Sequence, residues 1–69
     1  MKISARNQLK GRIVEIQEGA VNAIVKINIG NDNILTADIT LQSVKDLGLT
    51  VGKEVVAVIK STSVMVGVE

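Results

Sequence analysis

The chain has no cysteine, no histidine, no proline and no aromatic residue. Each absence removes a class of function or a means of stabilisation. Without cysteine there is no disulfide and no thiolate metal site. Without histidine, the commonest zinc ligand and the commonest general base are both missing. Without Phe, Tyr or Trp, a small barrel has nothing on which to stack single-stranded bases. Without proline, sheet edges lack one of their usual guards, which favours a closed barrel. Charge of one sign is also lacking: eight basic and seven acidic residues leave a net charge of +1. A nucleic-acid binder normally carries a strongly basic domain or stripe. No apolar run approaches the length of a membrane span. Met1-Lys2-Ile3-Ser4 lacks the hydrophobic stretch of a signal peptide. The sequence reads as a soluble cytoplasmic protein with no membrane or nucleic-acid partner.

What is present is aliphatic. Hydrophobic residues make up 46% of the chain, more than one small core needs. Its 69 residues form a single domain, 1–69. A core of this size leaves only ~3–5 kcal/mol of net stability, so small scaffolds usually carry a staple. With disulfide and thiolate-zinc staples excluded, the remaining staple is oligomerisation.

The pattern predicts five strands and one short helix. Strand one covers Asn7 to Gln17, with Gly11 as a candidate bulge. Glu18-Gly19 turns the chain. Strand two, Ala20 to Ile29, alternates cleanly: Val21, Ala23, Val25, Ile27 and Ile29 share one face. Gly30-Asn31-Asp32-Asn33 is a hairpin loop, because Gly and Asn tolerate positive φ. Strand three covers Ile34 to Ile39, with Leu35, Ala37 and Ile39 inward. Leu41, Val44 and Leu47 then fall three apart, which is helical spacing. Thr40 or Ser43 can cap this helix, Ser43 with Asp46 resembles a capping box, and Gly48 is a natural stop. Strand four covers Glu54 to Ile59 and strand five Val64 to Val68. Three strands, a helix and two strands is the order of an all-β, five-stranded OB-like barrel with one short helix between strands three and four.

Catalysis finds little support. The seven carboxylates are scattered, and no glycine pattern makes a phosphate loop. Three donor clusters stand out instead. Ser4-Ala5-Arg6-Asn7 offers a hydroxyl, a guanidinium fork, an amide and backbone N–H groups left accessible by Ala5. Lys60-Ser61-Thr62-Ser63 offers an ammonium and hydroxyls. Thr40 and Ser43 bracket a helix start, where unpaired N–H groups suit an anion. Each has a plain alternative: an N-terminal lead-in tied to its own barrel, a polar loop, and simple helix capping. Taken together they contain no carboxylate and two cations, Arg6 and Lys60. Such a donor-only site suits a fully deprotonated tetrahedral dianion. Hydrogen phosphate would leave its O–H unpaired, at a cost of roughly 1–3 kcal/mol in a buried site. Molybdate, tungstate and sulfate carry no such proton at neutral pH.

The chain resembles the molbindins, small Mop-type molybdate-binding proteins, over essentially all its length. The resemblance is carried by Ile3-Ser4-Ala5-Arg6-Asn7-Gln8-Leu9-Lys10-Gly11, by Gly19-Ala20-Val21-Asn22-Ala23, by Ile39 through Leu49, by Gly52-Lys53-Glu54-Val55 and by Val58-Ile59-Lys60-Ser61-Thr62. It implies an OB-like barrel assembled as a hexamer, a trimer of dimers. It implies molybdate or tungstate held by hydrogen bonds at subunit interfaces, with no cofactor and no directly coordinated metal. By position, Ser4, Ala5, Arg6 and Asn7 match the N-terminal oxyanion segment. Thr40 and Ser43 match the hydroxyls at the helix start, and Lys60 with Ser61 match a loop on the neighbouring subunit. The expected role is intracellular storage or homeostasis, without catalysis. A nucleic-acid-binding OB module and a purely structural oligomerisation module are the alternatives.

Overall fold

The computed structural model describes residues 1–69. Four antiparallel strands form one sheet in the order β3-β2-β1-β4. They are β1 (Asn7–Glu18), β2 (Asn22–Asn28), β3 (Ile34–Thr40) and β4 (Glu54–Ile59). A helix, α1 (Leu41–Asp46), joins β3 to β4, and a 3-10 turn, Ser61–Ser63, follows β4. The sheet curls into a half-barrel. No helix is long and apolar enough to cross a membrane.

β1 organises the whole. Its first half pairs with β4, from Asn7↔Ile59 to Arg12↔Glu54. Its second half pairs with β2, from Arg12↔Asn28 to Glu18↔Ala23. A strand that serves different partners at its two ends must bend, and two local devices allow it. One is a bulge: the register skips between Ile13 and Glu15, leaving Val14 as the extra residue. This changes the parity of the strand. Ile13 points inward before the bulge and Ile16 after it, while Glu15 and Gln17 stay exposed. The other device is Gly11, expected from the sequence to be the bulge itself. It marks a close approach instead. A Cβ there would lie 2.6 Å from Ile27 Cγ2 and 2.7 Å from the Asn28 carbonyl oxygen.

The buried core comprises Ile13, Ala23, Val25, Ile27, Val44 and Ala57. Leu35, Ala37, Ile39, Leu41, Leu49 and Val55 pack around it, half-buried. The alternation read in strand two supplies three of the six core residues. Its outer end departs from expectation, because β2 begins only at Asn22 and Val21 is exposed.

Helix α1 is stopped and started by its own sequence. Thr40 is the N-cap: its Oγ1 accepts from the Ser43 backbone N–H at 3.0 Å. The expected Ser43/Asp46 box is absent; Asp46 accepts instead from Gln42 Nε2 at 2.8 Å. At the other end Gly48 takes φ +61°. The Leu49 N–H then donates to the Val44 carbonyl and the Gly48 N–H to the Lys45 carbonyl, a complete Schellman motif. This reversal buries Leu49 against the core and leaves Leu47, expected inside, exposed. Lys53 Nζ donates to the Leu47 and Gly48 carbonyls at 3.0 and 3.1 Å, completing the cap. Thr40→Ala is expected to lower stability by about 1 kcal/mol, measurable as a shifted urea midpoint with an unchanged m-value.

The expected fifth strand does not form within the chain. Val64–Glu69 enters no ladder. The Val64 N–H donates to the Ser61 carbonyl at 3.3 Å within the turn after β4, and no residue from Val64 to Glu69 pairs with a strand.

Candidate functional site

The register places the two cationic clusters side by side. Asn7 pairs with Ile59 at the end of the β1–β4 ladder. Arg6 and Lys60 are the residues that adjoin this terminal pair, so the Ser4–Arg6 and Lys60–Ser61 segments leave the same end of the ladder. Neither cation belongs to an ion pair; the chain's ion pairs are Arg12–Glu54 at 2.7 Å and Lys26–Glu15 at 3.8 Å.

Side chains in this region divide by task. Asn7 Nδ2 donates to the Ile59 carbonyl at 3.2 Å and pins the start of β1 to the end of β4. Gln8 Nε2 donates to the Ala5 carbonyl at 3.0 Å and fixes the segment before the strand. Sequence reasoning missed this role of Gln8; its spacing of three from Ala5, at a strand entry, was the available signal. Ser4, Arg6, Lys60 and Ser61 make no side-chain hydrogen bond within the chain and are exposed. Four uncommitted donors, with no carboxylate among them, thus adjoin the Asn7–Ile59 end of the ladder, whose entry segment is tied by Asn7 and Gln8.

Thr40 and Ser43 are not part of this cluster. Thr40 pairs with Asn22, next to the Glu18 end of β1, whereas Asn7 marks the other end. β1 spans 12 residues, a length of ~40 Å when straight. Bending shortens this, and the two groups adjoin opposite ends of β1. Thr40 is also engaged: its hydroxyl donates to Ser43 Oγ at 2.8 Å while accepting from the Ser43 N–H. The Leu41 N–H donates to the Val21 carbonyl at 2.7 Å. The helix start thus has two of its N–H groups satisfied internally, and the Ser43 hydroxyl hydrogen is its remaining side-chain donor. Surface hollows lie elsewhere, one lined by Lys10, Arg12, Asn28 and Glu54, another by Glu18, Asn22 and Asp38. No group of three or more acidic side chains is placed to hold a metal ion.

A family model described as the TOBE domain matches residues 3–66. A probable molybdenum-pterin-binding protein of Haemophilus influenzae is 64% identical over 69 residues, covering 100% of both chains. The chain is a TOBE-domain protein of the molbindin (Mop) family. Two solved Mop-type structures have the same fold. MopII from Clostridium pasteurianum superposes with a TM-score of 0.90 at 48% identity, covering 97% of this chain and 100% of that one. A molybdate-binding protein from Sporomusa ovata gives 0.89 at 41% identity, covering 96% and 97%. The molbindin fold therefore accounts for the half-barrel, and these relatives are named for binding molybdenum-pterin or molybdate.

Proposed function

We propose that this protein binds molybdate or tungstate at an interface between copies of itself, for intracellular storage or homeostasis, and performs no chemistry on the anion. The observation that carries the reading is that Arg6 and Lys60 adjoin the terminal Asn7↔Ile59 pair of the β1–β4 ladder, with Ser4 and Ser61 near them in the chain and no carboxylate among them. Ala5 supplies backbone N–H groups, and Asn7 holds the segment in register while one of its amide hydrogens is already committed to Ile59. The resemblance implied that Lys60 and Ser61 come from a neighbouring copy; in this reading they stand with Arg6 on one chain, and Thr40 and Ser43 are what a second copy contributes. Their place beside the Glu18 end of β1, with Arg6 beside the Asn7 end, supports this division.

The exposed position of the donors argues the same way. Charge-assisted hydrogen bonds strengthen when water is excluded, and a second copy closing over the ion would exclude it. Binding would then stabilise the assembly by mass action. The hexamer, a trimer of dimers, is the assembly proposed.

Calorimetric titration with molybdate, tungstate, sulfate and phosphate tests the reading. The expected result is tight binding of molybdate and tungstate and weak binding of phosphate, whose proton finds no acceptor. Equal affinity for all four ions, or no heat with molybdate, would overturn it. A melting temperature indifferent to every oxyanion would favour a purely structural oligomerisation module.

A further inference from the structure

One peptide group in the segment before β1 has its two polar ends in different conditions. Its carbonyl, on Ala5, accepts from Gln8 Nε2 at 3.0 Å, and the chain makes no other hydrogen bond to it. Its N–H, on Arg6, donates to nothing within the chain. The chain bends at Ser4 and again at Arg6, and β1 begins only at Asn7. No ladder therefore orients this peptide. The Gln8 side chain does so, reaching back three residues from a strand position whose backbone is paired with Val58.

No peptide bond in the chain is cis. In a planar trans peptide the C=O and the N–H point in opposite directions. Turning the Ala5 carbonyl towards Gln8 thus turns the Arg6 N–H away from it. For an anion lying among Ser4, Arg6, Lys60 and Ser61, that orientation matters twice. It offers a backbone donor, and it withdraws a backbone acceptor. Released, the carbonyl would repel a dianion and could take the proton of hydrogen phosphate. Residue types leave Ala5 as an acceptor inside a cluster of donors; the Gln8 amide occupies it.

We propose that Gln8 is a positioning residue that sets the oxyanion selectivity of the site: it holds the Ala5 carbonyl so that the Arg6 backbone N–H faces the ion and a protonated oxyanion finds no acceptor. Gln8 does not touch the anion. The inference rests on the oxyanion-binding reading above and deepens it. Asn7 makes the contrast. Its amide donates to the Ile59 carbonyl at 3.2 Å and joins β1 to β4. The Gln8 bond closes within four successive residues and joins no two elements, so its loss should leave the ladder intact.

Two variants of the intact protein test this. Gln8→Leu keeps the bulk of the side chain without an amide. Gln8→Asn keeps the amide but ends one methylene short of the Ala5 carbonyl. Calorimetric competition between molybdate, sulfate and phosphate near neutral pH reads the affinities. Thermal melts without oxyanion read the fold, and ¹⁵N–¹H spectra read the Arg6 amide. In the unaltered protein, molybdate should move the Arg6 amide proton downfield and slow its exchange. In both variants that shift should shrink, and the affinities for molybdate and sulfate should fall about tenfold, as expected when one hydrogen bond to a charged group is lost. Phosphate should lose less, because the released carbonyl accepts its proton. The molybdate-to-phosphate ratio should therefore fall while the molybdate-to-sulfate ratio holds, with an unchanged melting temperature. Equal losses for all three ions would mean that Gln8 only stiffens the segment, and would overturn the proposal. So would unaltered affinity in both variants, or an Arg6 amide indifferent to bound molybdate in the unaltered protein. Should Gln8→Leu fail to fold, Gln8→Asn and the Arg6 amide decide. An unaltered protein that gives no heat with molybdate removes the underlying reading and this proposal with it; molybdate binding that the Gln8 variants leave unchanged removes this proposal alone.

Discussion

Replacing Arg6 with alanine is expected to raise the Kd for molybdate about 10- to 100-fold while folding and assembly survive. The magnitude follows from losing one charge-assisted hydrogen bond, worth ~1.5–3 kcal/mol, at tenfold per ~1.4 kcal/mol. Survival of the fold follows from what Arg6 does not do: its side chain is exposed and enters no ion pair or hydrogen bond within the chain. Lys60→Ala should behave alike, because Lys60 adjoins the same end of the ladder in the same condition. If both contact one ion, their effects are coupled, and the double variant should lose less than the sum of the single losses. Arg6→Lys should recover part of the affinity, since the charge returns without the planar fork. Asn7→Ala provides the contrast. It removes the tether to the Ile59 carbonyl, so its effect should register in the melting temperature as well as in affinity. Calorimetry reads the affinities and circular dichroism the fold. Unchanged molybdate affinity in both Arg6→Ala and Lys60→Ala would remove these residues from the site.

The second large effect concerns the fold. Gly11→Val is expected to destabilise the protein by about 2–3 kcal/mol, which in a domain of this size lowers the melting temperature by ~10–20 °C. Even the first added carbon would sit 2.6 Å from Ile27 Cγ2 and 2.7 Å from the Asn28 carbonyl oxygen. Neither can move aside. Ile27 is a core residue, 7% exposed, and the Asn28 oxygen belongs to the backbone of β2. With only ~3–5 kcal/mol available to a scaffold this small, the loss is a large fraction of the total. Lys10→Ala, one residue away and exposed, should change little. Urea melts at one fixed protein concentration make the comparison, since oligomer stability depends on concentration. A Gly11→Val protein as stable as Lys10→Ala would mean that the strands separate there at no cost.

The loop Gly30–Asn33 illustrates what local chemistry can settle. Gly30, Asn31 and Asp32 all adopt positive φ, at 115°, 51° and 59°, as the composition of that segment requires. Strand four lies where the sequence placed it, from Glu54 to Ile59. Helix α1 stops where Gly48 allows the backbone to reverse. These features depend on residues within a few positions of one another, so the sequence carries them directly. The bulge is different. Whether the extra residue of β1 is Gly11 or Val14 depends on which residues of β2 lie opposite, and nothing near Val14 signals it. Leu47 and Leu49 are equally apolar, and the three-residue spacing favours Leu47; the Schellman reversal buries Leu49 instead.

The same boundary runs through the candidate site. The residue types alone showed three polar clusters rich in donors, with two cations and no carboxylate among them, and a chain without histidine or cysteine. The resemblance to molbindins in Ser4 through Gly11 pointed to the family. Tertiary structure decided which of those donors share a place. Asn7 and Ile59 are 52 residues apart and hydrogen-bonded, so the segments that carry Arg6 and Lys60 come to one end of the ladder only once β1 and β4 have paired. Thr40, closer to Arg6 in sequence than Lys60 is, lies towards the far end of β1. The tertiary structure also decided that Asn7 and Gln8 hold the segment while Ser4, Arg6, Lys60 and Ser61 stay free. The physical reason is one of range. Period, turn chemistry and charge inventory are properties of neighbouring residues, whereas proximity across a sheet is fixed by the register of strands that the whole chain must fold to bring together.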